Sequence, residues 1–307
     1  MAAHLPGSDD ARPEADERRG MVTLVGAAFW FSVMSALAKV AGRELPIAMA
    51  VFVRCATTLV LTYGLVRYRG LSMRGNDVKL LVLRGLFGVA AVLCFFHAIV
   101  MLPIAEATVI QFVNPLLATL LARAFLGERP GGSVTLGLAL GFGGMLLVAR
   151  PARIFGSHVA LSQEGVLIGL AGAILSACAY VTIRKVTRTD HPDIVALYFP
   201  AIATPVTLLF ALPHWTWPTP RGWLLLVAVG VATHLGQLMM TRGLARVPAS
   251  RGTAVGYLQI VFASVWGALL FDETPRAMTV LGAGLVLGGA LLLVRAPLSR
   301  GNAGLRL

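Results

Sequence analysis

The sequence predicts an all-α integral membrane protein of ten transmembrane helices, arranged as two inverted five-helix repeats. Three observations carry that expectation. The 307 residues are 57% hydrophobic and 13% charged, with a mean hydropathy of +0.79. Apolar runs long enough to cross a bilayer recur ten times. Side chains recur at one fixed offset, 145 residues, through most of the chain. A soluble domain averages about 45–50% apolar and about 25% charged residues. A soluble enzyme, a disordered chain and a disulfide-rich secreted scaffold are therefore excluded.

A helical crossing needs about 20 mostly apolar residues. The runs fall near 20–41, 45–66, 80–101, 103–124, 132–150, 164–185, 193–213, 222–241, 248–270 and 275–295. Residues 252–271 and 277–294 contain no charge at all. Only helices and closed barrels satisfy every backbone group in lipid. The runs are continuous and lack a period of two, which selects helices. Residues 1–19 are rich in Asp, Glu and Arg and lack the basic-then-apolar order of a signal peptide. They read as a disordered cytoplasmic tail. The first five-helix repeat spans 20–152, the second 164–296, and 297–307 form a second cytoplasmic tail.

Orientation follows from the placement of Lys and Arg. With the N-terminus inside, the inner segments carry nineteen of the 26 and the outer segments six, with Arg54 left inside a span. That bias puts both termini in the cytoplasm of a multi-pass protein in a plasma membrane of the bacterial inner-membrane type. It also accounts for the net charge of +12. Nucleic-acid binding needs a basic face or stripe, whereas here the charges are scattered between apolar spans, so no nucleic acid is expected. Cys55, Cys94 and Cys178 all lie within spans, without a disulfide or metal-binding spacing.

The repeat is specific in its frame. Gly20, Gly85, Pro103, Thr108, Ala118, Glu128 and Pro130 recur as Gly165, Gly230, Pro248, Thr253, Ala263, Glu273 and Pro275. Five spans per half is odd, so the second half sits upside down relative to the first. Inverted repeats about an axis in the membrane plane are a transporter device, because the halves can exchange conformations around one central site. Gly137-x-x-x-Gly141 and Gly284-x-x-x-Gly288 place small residues on one face of the last span of each half, where helices can approach closely.

The region 20–296 resembles the EamA-type members of the drug/metabolite transporter superfamily. The resemblance rests on Phe52-Val53-Arg54-Cys55, on Leu102-Pro103-Ile104-Ala105-Glu106-Ala107-Thr108, and on Asn114-Pro115-Leu116 running to Phe125-Leu126-Gly127-Glu128-Arg129. Leu270-Phe271-Asp272-Glu273-Thr274 and the glycine-rich fifth and tenth spans complete it. It implies ten helices around a central cavity and transport without ATP hydrolysis, and it specifies no substrate. The second half has Gln259-Ile260 where the first has Asn114-Pro115, so the half-sites are expected to be unequal.

Polar groups within a span are costly and usually face a cavity. Asn114 and Gln259 hold equivalent positions in the fourth and ninth spans and either contact substrate or bond between helices. Gln111 shares a face with Asn114, and Tyr257 lies near Gln259. Pro115 removes one helical hydrogen bond and is expected to kink the fourth span beside Asn114. His234 and Gln237 share a face of the eighth span and are candidates to line the substrate cavity, the histidine alternatively being a proton-coupling group or a bonded core residue. Trp30 and Tyr180 lie mid-span as candidate cavity walls. Arg54 reads as the one cation far from either end of a span, and the resemblance favours a structural or gating role for it. His97 and Glu106 flank the short outer turn around Met101–Ile104, where the antiparallel hairpin is expected to bring them together at the outer mouth in a coupling or gating role, and Glu106 also suits a structural place at a helix N-terminus. Glu128 and Glu273 read as caps of the fifth and tenth helices.

The leading function is a secondary transporter that moves a small metabolite or drug-like solute by alternating access, with no cofactor and no metal. The expected partners are the lipid bilayer and the solute. A chain that already fuses five plus five spans is expected to be a monomer. No G-x-x-x-x-G-K-[ST] sequence is present to drive a pump with ATP. An intramembrane enzyme and a lipid flippase are the alternatives. The first lacks HExxH and GxSxG sequences, and the second has only Arg54 as a buried cation.

Overall fold

The computed structural model describes residues 11–102, 104–128, 130–149, 162–271 and 277–295. Among the described residues all regular structure is helical: α1 (Ala11–Ala41), α2 (Ile47–Tyr68), α3 (Val78–Met101), α4 (Ile104–Gln111), α5 (Asn114–Leu126), α6 (Gly132–Ala149), α7 (Gln163–Val186), α8 (Pro192–Ala211), α9 (Pro220–Arg246), α10 (Ala249–Val255), α11 (Leu258–Phe271) and α12 (Ala277–Arg295). A single 3-10 turn, Leu212–His214, follows α8. Eight segments are long and apolar enough to span a bilayer, and Gly132–Leu147 and Ala277–Leu293 are shorter apolar helices. Large apolar side chains such as Val60, Leu120, Leu167, Leu209, Leu224 and Leu269 point outward. That is the surface a bundle offers to acyl chains rather than to water.

Helix ends follow local chemistry. Asp77, Ser162 and Thr219 accept hydrogen bonds from the backbone N–H groups of Leu80, Gly165 and Gly222, satisfying orphan donors at the starts of α3, α7 and α9. Gly127 closes α5 in the left-handed region at φ 67°. The polar tail expected over 1–19 differs in its inner part, because α1 already begins at Ala11. Asp16 pairs with Arg246 at 3.0 Å and Glu17 with Arg251, so acid side chains anchor the second turn of α1 to the end of α9 and the start of α10. Residues 1–10 and 297–307 lie outside the described residues.

Packing follows the offset. Helix α1 packs on α9 and α3 on α7, which are the same pairing seen from each repeat; α2 packs on α8 and α6 on α12, each against its own counterpart. The match extends to single residues. A Cβ on Gly20 would meet Val247 Cγ2 at 2.6 Å and Arg246 Cβ at 2.8 Å. On Gly165 it would meet Leu102 Cγ at 2.9 Å and Met101 Cβ at 3.0 Å, the same neighbours displaced by 145. Gly85 faces Ile202, and Gly230 faces Thr57, again by that offset. Such reciprocal contact, where i meets j and the mate of j meets the mate of i, is what a two-fold relation produces.

The glycine faces divide. Gly137 approaches Leu293 and the Gly289 carbonyl, and Gly141 lies under the Tyr257 ring, so the first expected face is a packed one. Gly284 and Gly288 meet open space. The close-packed face of α12 is carried by Gly282 and Gly289 instead, the mates of Gly137 and Gly144.

Candidate functional site

The fourth and ninth apolar runs are each broken. Helix α4 stops at Gln111, Phe112 and Val113 form a turn, and α5 starts at Asn114 with Pro115 next. A proline costs nothing in a first turn, where its missing N–H has no intrahelical partner. The expected kink at Pro115 is therefore a restart two residues after Phe112. In the second half α10 stops at Val255, Gly256 and Tyr257 form the turn, and α11 starts at Leu258. Phe112 and Tyr257 are 145 apart and stack with ring centroids 6.0 Å apart and planes 29° apart. The Tyr257 hydroxyl donates to the Phe112 carbonyl at 3.0 Å. A residue that touches its own repeat counterpart sits beside the two-fold, so the two breaks meet there. Helix breaks of this kind free backbone groups from the intrahelical ladder at membrane depth, and transporters build solute sites around them.

A cavity of about 390 Å3 opens beside this crossing. The first half supplies Arg54, Arg84, Thr108, Gln111 and Asn114, and the second supplies Ser176, Tyr180, Thr233, Gln237, Thr253 and Gln259. Phe31, Phe95, Phe112 and Phe199 form much of the apolar wall. Asn114 and Gln259 thus reach the same space from opposite halves. The Gln111 Nε2 donates to Ser176 Oγ at 2.9 Å. Gln111 Oε1 and Gln237 Nε2 are buried without a hydrogen-bond partner among the described residues.

The other expected site residues are placed differently. His234 is buried on α9, with Nδ1 3.0 Å from Thr62 Oγ1 of α2, and does not line the cavity. Its position is that of the bonded core histidine. Tyr257 is 1% exposed and serves the crossing itself. Trp30 lies outside the cavity lining, edge-on to Phe29 at 5.7 Å, in a cluster with Phe262 and Trp266. His97 is exposed. The Glu106 side chain lies outside what is described, as do Pro103, Glu273 and Pro275, so the expected meeting of His97 with Glu106 does too.

Two placements depart from the sequence reading. Arg54 is not alone: Arg84, counted there among the inner-side charges, is 3% exposed inside α3 and faces the cavity. Its Nε and Nη1, like Arg54 Nε, have no hydrogen-bond partner among the described residues, and its guanidinium lies 5.0 Å from the Phe199 ring centre. The signal was available, since Arg84 sits within the 80–101 run rather than beside it. Glu128 does not cap the helix that follows it. Its carboxylate accepts from Ala249 N at 3.0 Å and from Ser250 N and Oγ at 3.2 and 3.0 Å, capping α10 of the other half.

A second polar cluster ties the α2–α3 and α7–α8 connections. Asp193, with no exposed side-chain area, accepts from Arg69 Nη1 at 2.7 Å and from Arg242 Nε and Nη2 at 2.9 and 3.0 Å. Asp190 accepts from the backbone N–H groups of Asn76 and Asp77. Sequence reading passed over both acids because they sit in a basic segment at a span edge.

A profile described as the EamA-like transporter family matches residues 18–150 and, again, 163–295. The chain belongs to that family. This EamA-like chain is 34% identical over 279 residues to a protein of Pseudomonas aeruginosa named pseudopaline exporter CntI, covering 91% of this chain and 96% of that one. It is 27% identical over 299 residues to solute carrier family 35 member G1 of Mus musculus, covering 92% of this chain and 79% of that protein. A solved crystal structure of a protein 20% identical to it superposes with a TM-score of 0.78, covering 89% of this chain and 95% of that chain, and shares the fold. The EamA-like chain is thus a multi-pass membrane protein whose relatives are transporters.

Proposed function

We propose that this chain is a secondary transporter in which two inverted five-helix repeats alternate around the central cavity. The solute is a small metabolite or drug-like molecule held between Asn114 and Gln259, with Gln111, Tyr180 and Gln237 lining its path and Arg54 binding or gating. One observation carries the reading: two broken helices, mates by the 145-residue offset, cross at Phe112 and Tyr257 and present Asn114 and Gln259 to one space. Fixed packing on both sides of such a crossing lets one half exchange shapes with the other while the site stays put. The relative named as an exporter makes outward movement the proposed direction. Both termini inside, a bacterial-type inner membrane and a monomer complete the proposal, since each half supplies the packing partner of the other.

The test is solute movement in proteoliposomes loaded with a bacterial metabolite extract, read by mass spectrometry. Selective depletion by the native protein, lost in Asn114→Ala and Gln259→Ala that still elute as folded protein, supports the reading. Unchanged kinetics in both variants removes these residues from the path. Absence of any movement by native protein overturns transport itself.

A further inference from the structure

The described lining of the cavity is charged in one sense only. Among its described lining residues Arg54 and Arg84 are the ionised groups, and no carboxylate joins them. Buried cations in a membrane protein are expensive unless paired, yet Arg84 offers two buried N–H positions without a partner and Arg54 one. The buried acids among the described residues are engaged elsewhere, Asp193 by Arg69 and Arg242 and Asp190 by the backbone of Asn76 and Asp77, and half-buried Glu128 bonds the start of α10. Phe199 holds the Arg84 guanidinium by its face at 5.0 Å, an arrangement that fixes a cation without neutralising it. Both arginines come from the first half. The mates of Arg54 and Arg84 in the second half are Phe199 and Val229, so both cations of the described lining come from one half, and the polar groups the second half adds are amides and hydroxyls.

We propose that the solute bears an oxyanion, seated on Arg84 and Arg54, with a hydrogen-bonding portion reaching Gln237 and Gln259. This deepens the transport reading by naming the substrate class of the same cavity. Guanidinium groups recognise planar and tetrahedral oxyanions by charge-assisted hydrogen bonds, roughly twice as strong as neutral ones. A neutral solute would leave both cations uncompensated, and a cationic one would add to them.

The test uses the full chain in detergent and reads thermal unfolding against tricarballylate, its triamide, inorganic phosphate and a short-chain phosphatidylglycerol at equal ionic strength. At least one oxyanion raises the unfolding temperature in a saturable way and the triamide does not; which one does so separates a carboxylate, a free phosphate and a lipid headgroup as the source. Arg84→Gln and Arg54→Gln each weaken apparent affinity about thirty-fold, about 2 kcal/mol at 1.4 kcal/mol per tenfold, and Arg84→Lys weakens it less. Arg54→Gln carries the test should Arg84→Gln fail to fold. An equal shift with the triamide, no shift with any oxyanion, or a shift that survives in the glutamine variants overturns the inference. Proteoliposome movement of a neutral or cationic solute that is lost in Asn114→Ala, without any oxyanion effect, overturns this inference and leaves transport standing.

Discussion

The contact between α6 and α12 fixes how close the two repeats come, and it can be tested by single methyl groups. Changing Gly144 to alanine would place a Cβ 2.5 Å from the Gly282 carbonyl oxygen and 2.9 Å from Val286 N. Both obstacles are backbone, so no side chain can rotate aside. Ordinary contact begins at 3.4 Å, so the helices must separate by about 0.9 Å. Overpacking of this kind costs about 1–3 kcal/mol, offset by the roughly 0.5–1 kcal/mol that alanine gains over glycine inside a helix. The net loss is about 2 kcal/mol for Gly144→Ala. It is about 1 kcal/mol for its mate Gly289→Ala, whose Cβ would lie 2.8 Å from the Gly137 carbonyl oxygen. Gly284→Ala and Gly288→Ala meet nothing within 4 Å and keep only the helix gain. The assay is the unfolding temperature of the four variants in one detergent, read as the fraction surviving size-exclusion after heating. At about 2–4 °C per kcal/mol, Gly144→Ala falls by about 4–8 °C while Gly284→Ala and Gly288→Ala stay level or rise. A fall in Gly288→Ala equal to that in Gly144→Ala would refute the assigned face of α12 and, with it, the reciprocal packing of the repeats.

Two further outcomes follow from the site. Tyr257→Phe keeps the stack on Phe112 and loses one hydrogen bond, so stability drops by about 1 kcal/mol, whereas Tyr257→Ala also loses the ring and drops by about 3–5 kcal/mol; equal losses in the same melting assay would show that the hydroxyl alone joins the breaks. Asp193→Asn removes the charge that pairs Arg69 and Arg242, whose side chains are 41% and 27% exposed; a fully buried pair would cost about 3–5 kcal/mol to break, and solvent at the arginines reduces this to about 2 kcal/mol. Arg242→Ala, which gives up two bonds, destabilises more than Arg69→Ala in that assay, and the reverse order would place the main tie on α2.

Much of this architecture was legible because bilayer chemistry writes itself into composition. The ten apolar runs, the odd number per half and the 145-residue frame needed no contacts to be seen, and Gly20 with Gly165 or Gly85 with Gly230 prove to be close-approach points. Asn114, Gln111, Gln237, Gln259, Tyr180 and Arg54 were legible as cavity residues for the same reason: polar atoms in an apolar run need a wet or bonded place. What periodicity does not encode is which way a helix is rotated. His234 and Gln237 share a helical face in sequence, yet one bonds Thr62 across a helix contact and the other reaches the cavity. Gly288 and Gly289 are neighbours in one glycine pair, yet Gly289 meets the Gly137 carbonyl and Gly288 meets open space. Arg84 was masked by its own topology signal, since a cation near a span edge satisfies the positive-inside bias whether or not it turns inward. Glu128 shows the same limit: a cap is recognisable from chemistry, but the helix it caps belongs to the other repeat.

The departures from two-fold symmetry are where direction can enter. On the alternating-access proposal, identical halves would exchange shapes without a change in energy, and the two openings of the cavity would be equally populated. Reciprocal packing at Gly20 and Gly165 or at Gly144 and Gly289 is neutral in that sense. The Arg69–Asp193–Arg242 tie is not. Its mates in the other half are His214, Ala48 and His97, so the aspartate has no carboxylate counterpart and no equivalent ion-paired tie can form there. A bond made at one end of a bundle alone stabilises whichever arrangement keeps that end closed, and a ligand shifts such an equilibrium only by its differential affinity for the two states. On the alternating-access proposal, an oxyanion bound by Arg84 and Arg54 must therefore supply, through that difference, any free energy that opening the Asp193 tie costs. On that proposal substrate charge and the one-ended clamp belong to a single balance, and both arginines and the aspartate stand at positions where the repeats differ.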